Sequence, residues 1–274
     1  MPPRERILSM GSRERILSMG SYGAGKSYQW LCLAQWLKPQ GAKFYVIDTD
    51  DTVERMVAEE FPDLDRGSNV ILHHAYTWPA YMKAQAAILS AAGVGDWIVF
   101  DMADAPWKAV QSYFVSQVFD KDISDYFVEA RQDLASHGDK TKRGKDAKNL
   151  KVFDGWMDWP VINKIYDSLV MPLIFDSSAH LYFTAKITPL RDDESLAVRE
   201  LYGPYGVKPA GQKDLGHLFH TVLLFQQGQE RGVWQITTVK DRGRKYFDHE
   251  KLINFPIQYL VAKARWPVSQ QVGL

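Results

Sequence analysis

The sequence predicts an α/β fold in which helices flank a mostly parallel, twisted sheet that ends in an antiparallel C-terminal strand pair. Short apolar runs alternate with helical patterns along most of the 274 residues, as expected when helices connect parallel strands. A glycine-rich stretch, residues 20–27, separates the first apolar run from the first helical pattern. Only the turn-like segment 228–232 separates the last two runs, which therefore predict a hairpin.

Seven apolar runs predict strands, because each is short, rich in β-branched or aromatic residues, and bounded by polar or glycine-containing segments. They are residues 15–19, 43–48, 70–74, 96–101, 179–185, 221–225 and 233–239. Helical patterns predict helices at 28–37, 52–60 and 82–92, and a further helix that begins near Trp156 and runs through Leu169. The sequence Lys-Pro-Gln-Gly at 38–41 ends the first of these helices.

A nine-residue segment occurs twice in succession, as residues 4–12 and 13–21. Such a copy is too short to be a structural repeat. Only the second copy leads into the glycine-rich stretch, so residues 1–12 are predicted to be an N-terminal extension. Residues 13–274 are predicted to form a single domain with polar insertions near 120–155 and 187–217.

The composition excludes several classes of protein. The 33 basic and 33 acidic side chains cancel, so any nucleic-acid site must be a local basic patch. The single cysteine, Cys32, excludes an internal disulfide framework and a cysteine-based zinc site. No apolar run approaches the ~20 residues of a membrane span, and the charged start, Arg4-Glu5-Arg6, lacks a signal-peptide core. We therefore expect no membrane partner and a cytoplasmic location.

Residues 20–27 read Gly-Ser-Tyr-Gly-Ala-Gly-Lys-Ser, a full match to the phosphate-binding loop pattern G-x-x-x-x-G-K-[ST]. In such loops glycines let backbone N–H groups turn toward a polyphosphate, the lysine approaches the β and γ phosphates, and the serine hydroxyl binds Mg²⁺. A preceding strand and a following helix are the arrangement that the motif requires. The alternative is a glycine-rich turn that binds nothing. The predicted nucleotide contacts are Gly20, Ser21, Tyr22, Gly23, Ala24, Gly25, Lys26, Ser27 and Tyr28.

Carboxylates follow two of the predicted strands, at the sheet edge where parallel sheets bind ligands. Asp101 ends the fourth run and is predicted to hold Mg²⁺ together with Ser27; the alternative is a helix-capping or turn aspartate. The second run ends in Asp48-Thr49-Asp50-Asp51, on a strand expected to lie next to the loop strand. Asp50 is the first candidate to orient the attacking water or accept its proton, with Asp51 and Asp48 as further candidates. Alternatively, these aspartates form a turn and cap the next helix.

Cations follow two other predicted strands. Lys186 comes directly after the fifth run, where it could contact the γ-phosphate and report hydrolysis to the next segment, or simply be solvated. Lys240 and Arg242 come after the last run. Because side chains alternate along a strand, both should point the same way, toward a neighbouring subunit's γ-phosphate. Alternatively, they belong to a solvated basic turn.

Together these motifs resemble the RecA-like P-loop ATPase core. They are most similar to the compact RecA-like ATPases of phage genomes, which are related to recombinases and more distantly to ring helicases. Residues 20–27 resemble the Walker A loop of that family, and residues 97–101 resemble its Walker B strand. The resemblance covers about residues 13–248. It implies binding of ATP and Mg²⁺, with catalytic roles for Lys26 and Asp101.

Three further segments resemble elements of the family, two of them with departures. Residues 44–50 resemble the segment that ends in the catalytic carboxylate, which gives that role to Asp50, although recombinases usually have glutamate there. Residues 181–186 resemble the sensor strand, which usually ends in glutamine or histidine, whereas this one ends in Lys186. Residues 238–243 resemble the K-x-R finger that ring members insert into the adjacent subunit's site, which implies that role for Lys240 and Arg242.

In that family two loops face DNA, one after the Walker B strand and one after the sensor strand. The second would be residues 187–217. At the first place, aromatic residues Phe153, Trp156 and Trp159 could stack on unpaired bases or pack in the core. Beside them, residues 137–151 carry six cations that could contact DNA phosphates: Lys140, Lys142, Arg143, Lys145, Lys148 and Lys151.

The resemblance implies a Mg²⁺-dependent ATP hydrolase that assembles as a ring or filament and acts on single-stranded DNA in phage-type recombination or replication. Its location would be the host cytoplasm if a phage encodes it. A second interpretation is an ATP-driven motor or loader that acts on a protein, and a third is an ATP-gated strand-annealing module with little turnover. A small-molecule kinase is a weaker alternative, because no obvious arginine-rich lid is present. The absence of an Asn-Lys-x-Asp signal favours ATP over GTP.

Overall fold

The computed structural model describes residues 13–136, 157–228, 230, 233–242 and 251–253. The predicted N-terminal extension, residues 1–12, and the predicted basic loop, residues 137–151, lie outside these ranges. Phe153 and Trp156 lie outside them as well. The interpretations of these segments therefore stay predictions from the sequence.

Eight strands form one sheet through the centre of the described structure. They are β1 Arg15–Gly20, β2 Phe44–Asp48, β3 Val70–His74, β4 Trp97–Asp101, β5 His180–Ala185, β8 Thr221–Gln227, β9 Trp234–Asp241 and β10 Lys251–Ile253. Their spatial order is β10-β9-β8-β1-β5-β4-β2-β3. The strands from β8 to β3 run parallel, β9 is antiparallel to β8, and β10 is antiparallel to β9. The predicted parallel sheet with an antiparallel C-terminal pair is confirmed, and β10 adds a strand that was not predicted.

Helices connect and cover these strands: α1 Lys26–Leu37, α2 Val53–Glu60, α3 Trp78–Ala91, α4 Ala105–Phe119, α5 Ile123–Ser136, α6 Asp158–Phe175 and α7 Leu196–Tyr202. Helix α3 begins four residues earlier than predicted, because Pro79 fits the first turn, where the backbone N–H has no helical partner. Helix α5 lies in the stretch that was predicted to be a polar insertion. Its buried Tyr126 stacks on Phe119 of α4 at 4.6 Å and anchors the helix to the core. None of the described helices is both long and apolar enough to cross a membrane.

The sheet is buried on both faces, so the strands read as continuous apolar runs rather than as alternating ones. Alternate residues of each strand enter different cores. On one face, Leu17 and Phe183 pack with α3, α4 and α6. On the other face, Ile16 and Tyr182 pack with α1 and α2. The central strands are therefore covered along their length, and the charged residues Asp48 and Asp101 stand at strand ends.

The segment 187–217, predicted as a polar loop, contains short secondary structure. Strands β6 Ile187–Pro189 and β7 Val207–Pro209 form a separate antiparallel pair. Between them lies α7, whose first turn is capped by the hydroxyl of Ser195, which accepts a hydrogen bond from Val198 N at 3.4 Å. Val198 and Tyr202 are fully buried in the larger core. These apolar anchors are too sparse in the sequence to form a recognisable periodic pattern.

The strand order corrects one expectation about the site. The sequence pattern predicts that the second strand lies next to the loop strand, but β5 and β4 lie between β1 and β2. The parallel neighbours of β1 are β5 and β8, both from the second half of the chain. Strand order depends on these distant segments, which a local sequence pattern does not reveal.

We expect Phe183→Leu to lower the free energy of unfolding by about 1–2 kcal/mol, because it leaves a cavity in a close-packed core. Phe183 is fully buried and packs against Phe100 and Phe219 at ring distances of 5.3 and 5.0 Å. The matched control is Phe127→Leu on α5, where the side chain is 58% exposed and a change below about 0.5 kcal/mol is expected. Urea unfolding followed by circular dichroism measures both. Equal losses would contradict this description of the core.

Candidate active site

The loop between β1 and α1 depends on three glycines for different reasons. Gly23 and Gly25 have φ angles of 70° and 82°, in the left-handed region that other residues avoid. Gly20 has no such angle, but a Cβ there would lie 2.6 Å from the carbonyl oxygen of Phe225 on β8. The loop therefore packs against the neighbouring strand and turns sharply into the N-terminus of α1, which is a favourable place for an anion.

The ammonium group of Lys26 is folded back onto this loop. Its Nζ donates hydrogen bonds to the carbonyl oxygens of Gly20 at 3.0 Å and Ser21 at 2.8 Å. The residue is only 7% exposed, and burial lowers the pKa of its ammonium group. The nearby carboxylates of Asp101 and Asp104 oppose that shift. Lys26 thus places a positive charge at the base of the loop, next to two acidic groups.

Asp101, at the end of β4, is buried and accepts hydrogen bonds from two side chains. Oδ1 accepts from Thr184 Oγ1 at 2.5 Å, and Oδ2 accepts from Trp30 Nε1 at 2.9 Å. Burial raises the pKa of this carboxyl, while Thr184, Trp30 and the nearby Ser27 hydroxyl act in the opposite direction. Ser27 and Asp101, the two predicted Mg²⁺ ligands, are therefore neighbours.

These two side chains fit a hard cation. A hydroxyl oxygen and a carboxylate oxygen are donors that Mg²⁺ prefers, and Mg²⁺ usually takes few protein ligands because it also binds water and phosphate. Ser27 comes from the start of α1, directly after the loop's lysine, and Asp101 from the end of β4. The donor set therefore agrees with a Mg·nucleotide complex at this loop.

Only Asp50 of the three candidate aspartates after β2 lines the adjacent cavity. Asp48 is buried instead, and its Oδ1 accepts hydrogen bonds from the backbone N–H groups of Asp50 at 3.3 Å and Asp51 at 3.2 Å. Burial raises the pKa of Asp48 to about 6. Asp50 Oδ1 accepts a hydrogen bond from Thr52 Oγ1 at 2.7 Å. Asp48 thus fixes the loop that presents Asp50, in agreement with the turn role weighed for it from the sequence.

A cavity of about 320 Å³ lies over the loop, within the usual size range of small-molecule sites. Its polar lining includes Lys26, Ser27 and Asp50, and its remaining lining is mostly aromatic or aliphatic. All seven residues from Tyr22 through Tyr28 contribute to the lining. The predicted loop contacts therefore surround one space, with Gly20 and Ser21 at its base.

Trp234, the first residue of β9, belongs to this site and was not identified from the sequence. Its Nε1 donates a hydrogen bond to the carbonyl oxygen of Gly23 at 3.2 Å, and its ring lies 4.9 Å from that of Tyr28. Tyr28 in turn lies 5.1 Å from Phe61. A Cβ on Gly25 would come within 2.7 Å of the Trp234 ring. No motif connects a strand residue so late in the chain with the loop, so only the fold reveals this aromatic group.

Lys186, at the end of β5, lies next to the loop from the other side. Its Nζ is 5.1 Å from the centre of the Tyr22 ring, and its charge lowers the pKa of Lys26. Its backbone N–H donates to Asp104 Oδ1 at 3.1 Å. Asp104 is a buried carboxylate that no sequence motif identifies, although it stands three residues after Asp101. A second cavity, of about 410 Å³, is lined by Tyr22, Lys186, Asp104 and Trp107 among others.

Lys240 and Arg242 do not share an environment, contrary to the expectation that both point the same way. Lys240 is buried, and its Nζ donates to the carbonyl oxygens of Gly216 at 3.0 Å and His217 at 3.3 Å in its own chain. Burial and the nearby charge of Arg242 lower the pKa of Lys240 to about 8. Strand β9 ends at Asp241, so strand alternation no longer applies to Arg242, whose side chain is exposed.

The predicted DNA contacts are only partly within the described residues. The six cations of residues 137–151 lie outside them. Trp159 lies within them and stacks on Trp107, with 6.0 Å between ring centres and an interplanar angle of 16°. Trp159 is 39% exposed, so its ring is only partly buried and is held by its contact with Trp107.

No protein-family model matches the sequence, and a search of curated proteins also finds no match. Among solved structures, the chain is similar to the crystal structure of the RadB recombinase, with a TM-score of 0.50 and 11% sequence identity. The similarity covers 92% of each chain. Together with the sheet order and the loop, this similarity shows that the fold is RecA-like, as the sequence predicts.

A pair of alanine substitutions in the loop tests the contact with Trp234. Gly23→Ala meets no neighbouring atom and should cost about 1 kcal/mol of unfolding free energy from its left-handed backbone. Gly25→Ala has the same backbone cost and also displaces the Trp234 ring, so a loss at least about 1 kcal/mol larger is expected. Double-mutant cycles by urea unfolding measure the coupling of each glycine to Trp234. In the Trp234→Ala background, Gly25→Ala should no longer show its extra loss of unfolding free energy, while the loss caused by Gly23→Ala should stay the same. Additive effects at Gly25 would contradict the contact.

The burial of Lys240 predicts a pH dependence of stability. Its folded-state pKa of about 8 lies below the ordinary value of 10.5, so the unfolded chain binds the proton more tightly and stability rises with pH across this interval. Between pH 7 and pH 10, the wild-type chain should gain about 2 kcal/mol of unfolding free energy relative to Lys240→Met. The exposed Lys83, changed to Met, is the matched control and should show no such difference. Urea unfolding at both pH values measures the free energy of unfolding of each variant. If the difference in unfolding free energy between the wild type and Lys240→Met did not change with pH, the buried ammonium would be contradicted.

Proposed function

We propose that this chain is a Mg²⁺-dependent ATPase of the RecA-like type, which acts on single-stranded DNA in phage-type recombination or replication. The observation that carries the proposal is the buried carboxylate of Asp101, which lies near the Ser27 hydroxyl and the buried ammonium of Lys26. Lys26 and Ser27 begin the first helix, and Asp101 ends a strand that is distant in the sequence. A glycine turn that bound nothing would not require a buried carboxylate at this place.

In the proposed complex, the backbone N–H groups of residues 23–27 surround the phosphates at the N-terminus of α1. Lys26 exchanges its two carbonyl acceptors for phosphate oxygens, which needs only a movement of its flexible side chain. Ser27 and Asp101 hold the Mg²⁺, which neutralises charge on the β and γ phosphates when it is bound.

Asp50 is the proposed water-orienting residue, because it is the one of the three candidates that lines the cavity. Its side chain is held by Thr52, and its backbone is held by the buried carboxylate of Asp48. An aspartate reaches less far than the glutamate usual in recombinases. The fixed loop therefore has to bring the backbone of Asp50 close to the γ-phosphate.

In this proposal two cations, Lys186 and Arg242, contact a γ-phosphate. Lys186 lies close enough to Lys26 to influence its pKa, and its side chain now rests on Tyr22. Arg242 is exposed and is the cation that a neighbouring subunit's site could receive in a ring or filament. Lys240 has a structural role instead, since its ammonium is bonded within its own chain.

The proposed DNA site combines the basic residues 137–151 with aromatic residues near them in the sequence. Within the described residues, the stacked pair of Trp107 and Trp159 supports this location, because Trp107 also lines the second cavity together with Lys108 and Lys186. DNA bound there would lie next to the residue proposed to contact the γ-phosphate.

We expect Asp50→Asn to retain binding of Mg·ATP but to hydrolyse it about 10²–10⁴ times more slowly, because the amide cannot accept the proton of water. Lys26→Ala should lose binding and turnover together. Calorimetry with Mg·ATP measures binding, and phosphate release with and without a single-stranded oligonucleotide measures turnover. The oligonucleotide should stimulate the wild-type rate.

Asp63→Asn is the matched control, since it makes the same chemical change on an exposed carboxylate away from the cavity. It should behave as the wild type does. Full turnover by Asp50→Asn would reject the water-orienting role, and full turnover by Lys26→Ala would reject the catalytic site. If the wild type binds Mg·ATP but does not turn it over with the oligonucleotide, an ATP-gated annealing module is favoured instead.

A further inference from the structure

Three side chains that do not line the loop cavity lie together at the carboxyl ends of β2 and β3. Asp48 ends β2, His74 ends β3, and the two are paired positions of the parallel ladder. Asp51 follows in the loop after β2. Nδ1 of His74 lies 3.2 Å from Asp51 Oδ1 and 3.7 Å from Asp48 Oδ2. One ligand atom from each of the three residues lies within 4.8 Å of the other two.

Asp48 is the residue that makes this cluster unusual. Its side chain is 0% exposed, and its Oδ1 is satisfied by two backbone N–H groups. Its Oδ2 is also buried, and no group within the described part of the chain donates a hydrogen bond to it. A buried carboxylate oxygen without a donor is unfavourable by several kcal/mol in general. The atom faces His74, and a cation between them would satisfy it.

The spacing of the three atoms fits a small metal ion. Ligands at ~2.0–2.2 Å from a tetrahedral or octahedral ion lie roughly 3.0–3.5 Å from one another. The two measured separations of 3.2 and 3.7 Å fall at or near this range, so small side-chain rotations would complete the geometry. His74 is 36% exposed and Asp51 is 65% exposed, which allows an ion to enter and leaves positions for water.

The donor types select the class of ion. One imidazole nitrogen with two carboxylate oxygens suits Zn²⁺, Mn²⁺ and similar divalent ions, whereas Mg²⁺ and Ca²⁺ prefer oxygen ligands alone. We propose that Oδ2 of Asp48, Oδ1 of Asp51 and Nδ1 of His74 form a binding site for a divalent transition-metal ion, separate from the Mg²⁺ of the nucleotide. This site does not require nucleotide, and its existence does not depend on the proposed ATPase activity.

Such an ion would join the ends of β2 and β3 to the loop that carries Asp50. Among the described residues, β3 is the last strand at its edge of the sheet, and β2 is the only strand of the sheet that pairs with it. An ion that binds the folded chain and not the unfolded one raises stability by mass action. We therefore expect the ion to raise the unfolding temperature of the protein without any nucleotide present.

The test uses protein without a polyhistidine tag, freed of metal by a chelator and then titrated with Co²⁺ and with Zn²⁺. Calorimetry should show one saturable equivalent, and bound Co²⁺ should give a visible absorption band from its mixed nitrogen and oxygen ligands. His74→Ala and Asp51→Asn should each bind at least about tenfold more weakly. Both residues are on the surface, so neither change should prevent folding.

Three controls locate the ion. His73→Ala removes the adjacent histidine, whose side chain points to the opposite face of β3, and should leave binding unchanged. Asp63→Asn controls for the loss of a surface carboxylate and should also leave it unchanged. Ser27→Ala should abolish Mg·ATP binding but keep the Co²⁺ equivalent. The proposal is overturned if the wild type shows no saturable binding below about 1 mM ion, which is near the weakest affinity of natural metal sites. It is also overturned if His74→Ala binds the ion as tightly as the wild type does, or if Ser27→Ala no longer binds the ion.

Discussion

The buried carboxylate of Asp101 is the group on which the geometry of the candidate active site depends. A carboxylate taken out of water is stable only when its oxygens are hydrogen-bonded, since its desolvation costs several kcal/mol. Here the donors are Trp30 from α1 and Thr184 from β5. A displacement of α1 relative to β4 would leave the oxygen bonded to Trp30 unsatisfied. The position of the phosphate-binding loop is therefore determined by the end of β4, although the two are far apart in the chain.

The order of the sheet explains why β5 supplies one of these donors. Strand β5 lies between β1 and β4 and pairs in parallel with both. Thr184 is paired with Ser18 of β1, and its hydroxyl donates to Asp101 of β4. The next residues of β5 lead to Lys186, beside the loop. The Thr184 hydroxyl and the Lys186 side chain therefore connect the segment after β5 with Asp101 and with the loop.

The sequence predicts the parts of this site that are encoded locally, and it does not predict the parts that need distant segments. The loop of residues 20–27 and Asp101 are recognisable because one contiguous pattern, or one strand followed by an acid, carries their chemistry. Lys240 has the same local pattern as a finger residue, yet it is buried, because the turn Leu215–Leu218 covers it with carbonyl oxygens. Trp234 and His74 enter their sites from other strands, and no spacing in the sequence connects them with their partners.

Asp48 and Asp101 show how two identical residues at equivalent positions acquire different chemistry. They end neighbouring parallel strands and are paired in register. One oxygen of Asp101 accepts a hydrogen bond from the Thr184 hydroxyl and the other from the Trp30 indole, and the Ser27 hydroxyl lies nearby. Asp48 has one oxygen satisfied by backbone N–H groups, while the other faces an imidazole. Since a hard cation prefers oxygen donors and a borderline cation accepts imidazole, the two carboxylates favour different ions. The neighbouring elements, rather than the aspartates themselves, determine this difference. Strand β5 and helix α1 supply the groups that contact Asp101, and the edge strand β3 supplies the imidazole beside Asp48.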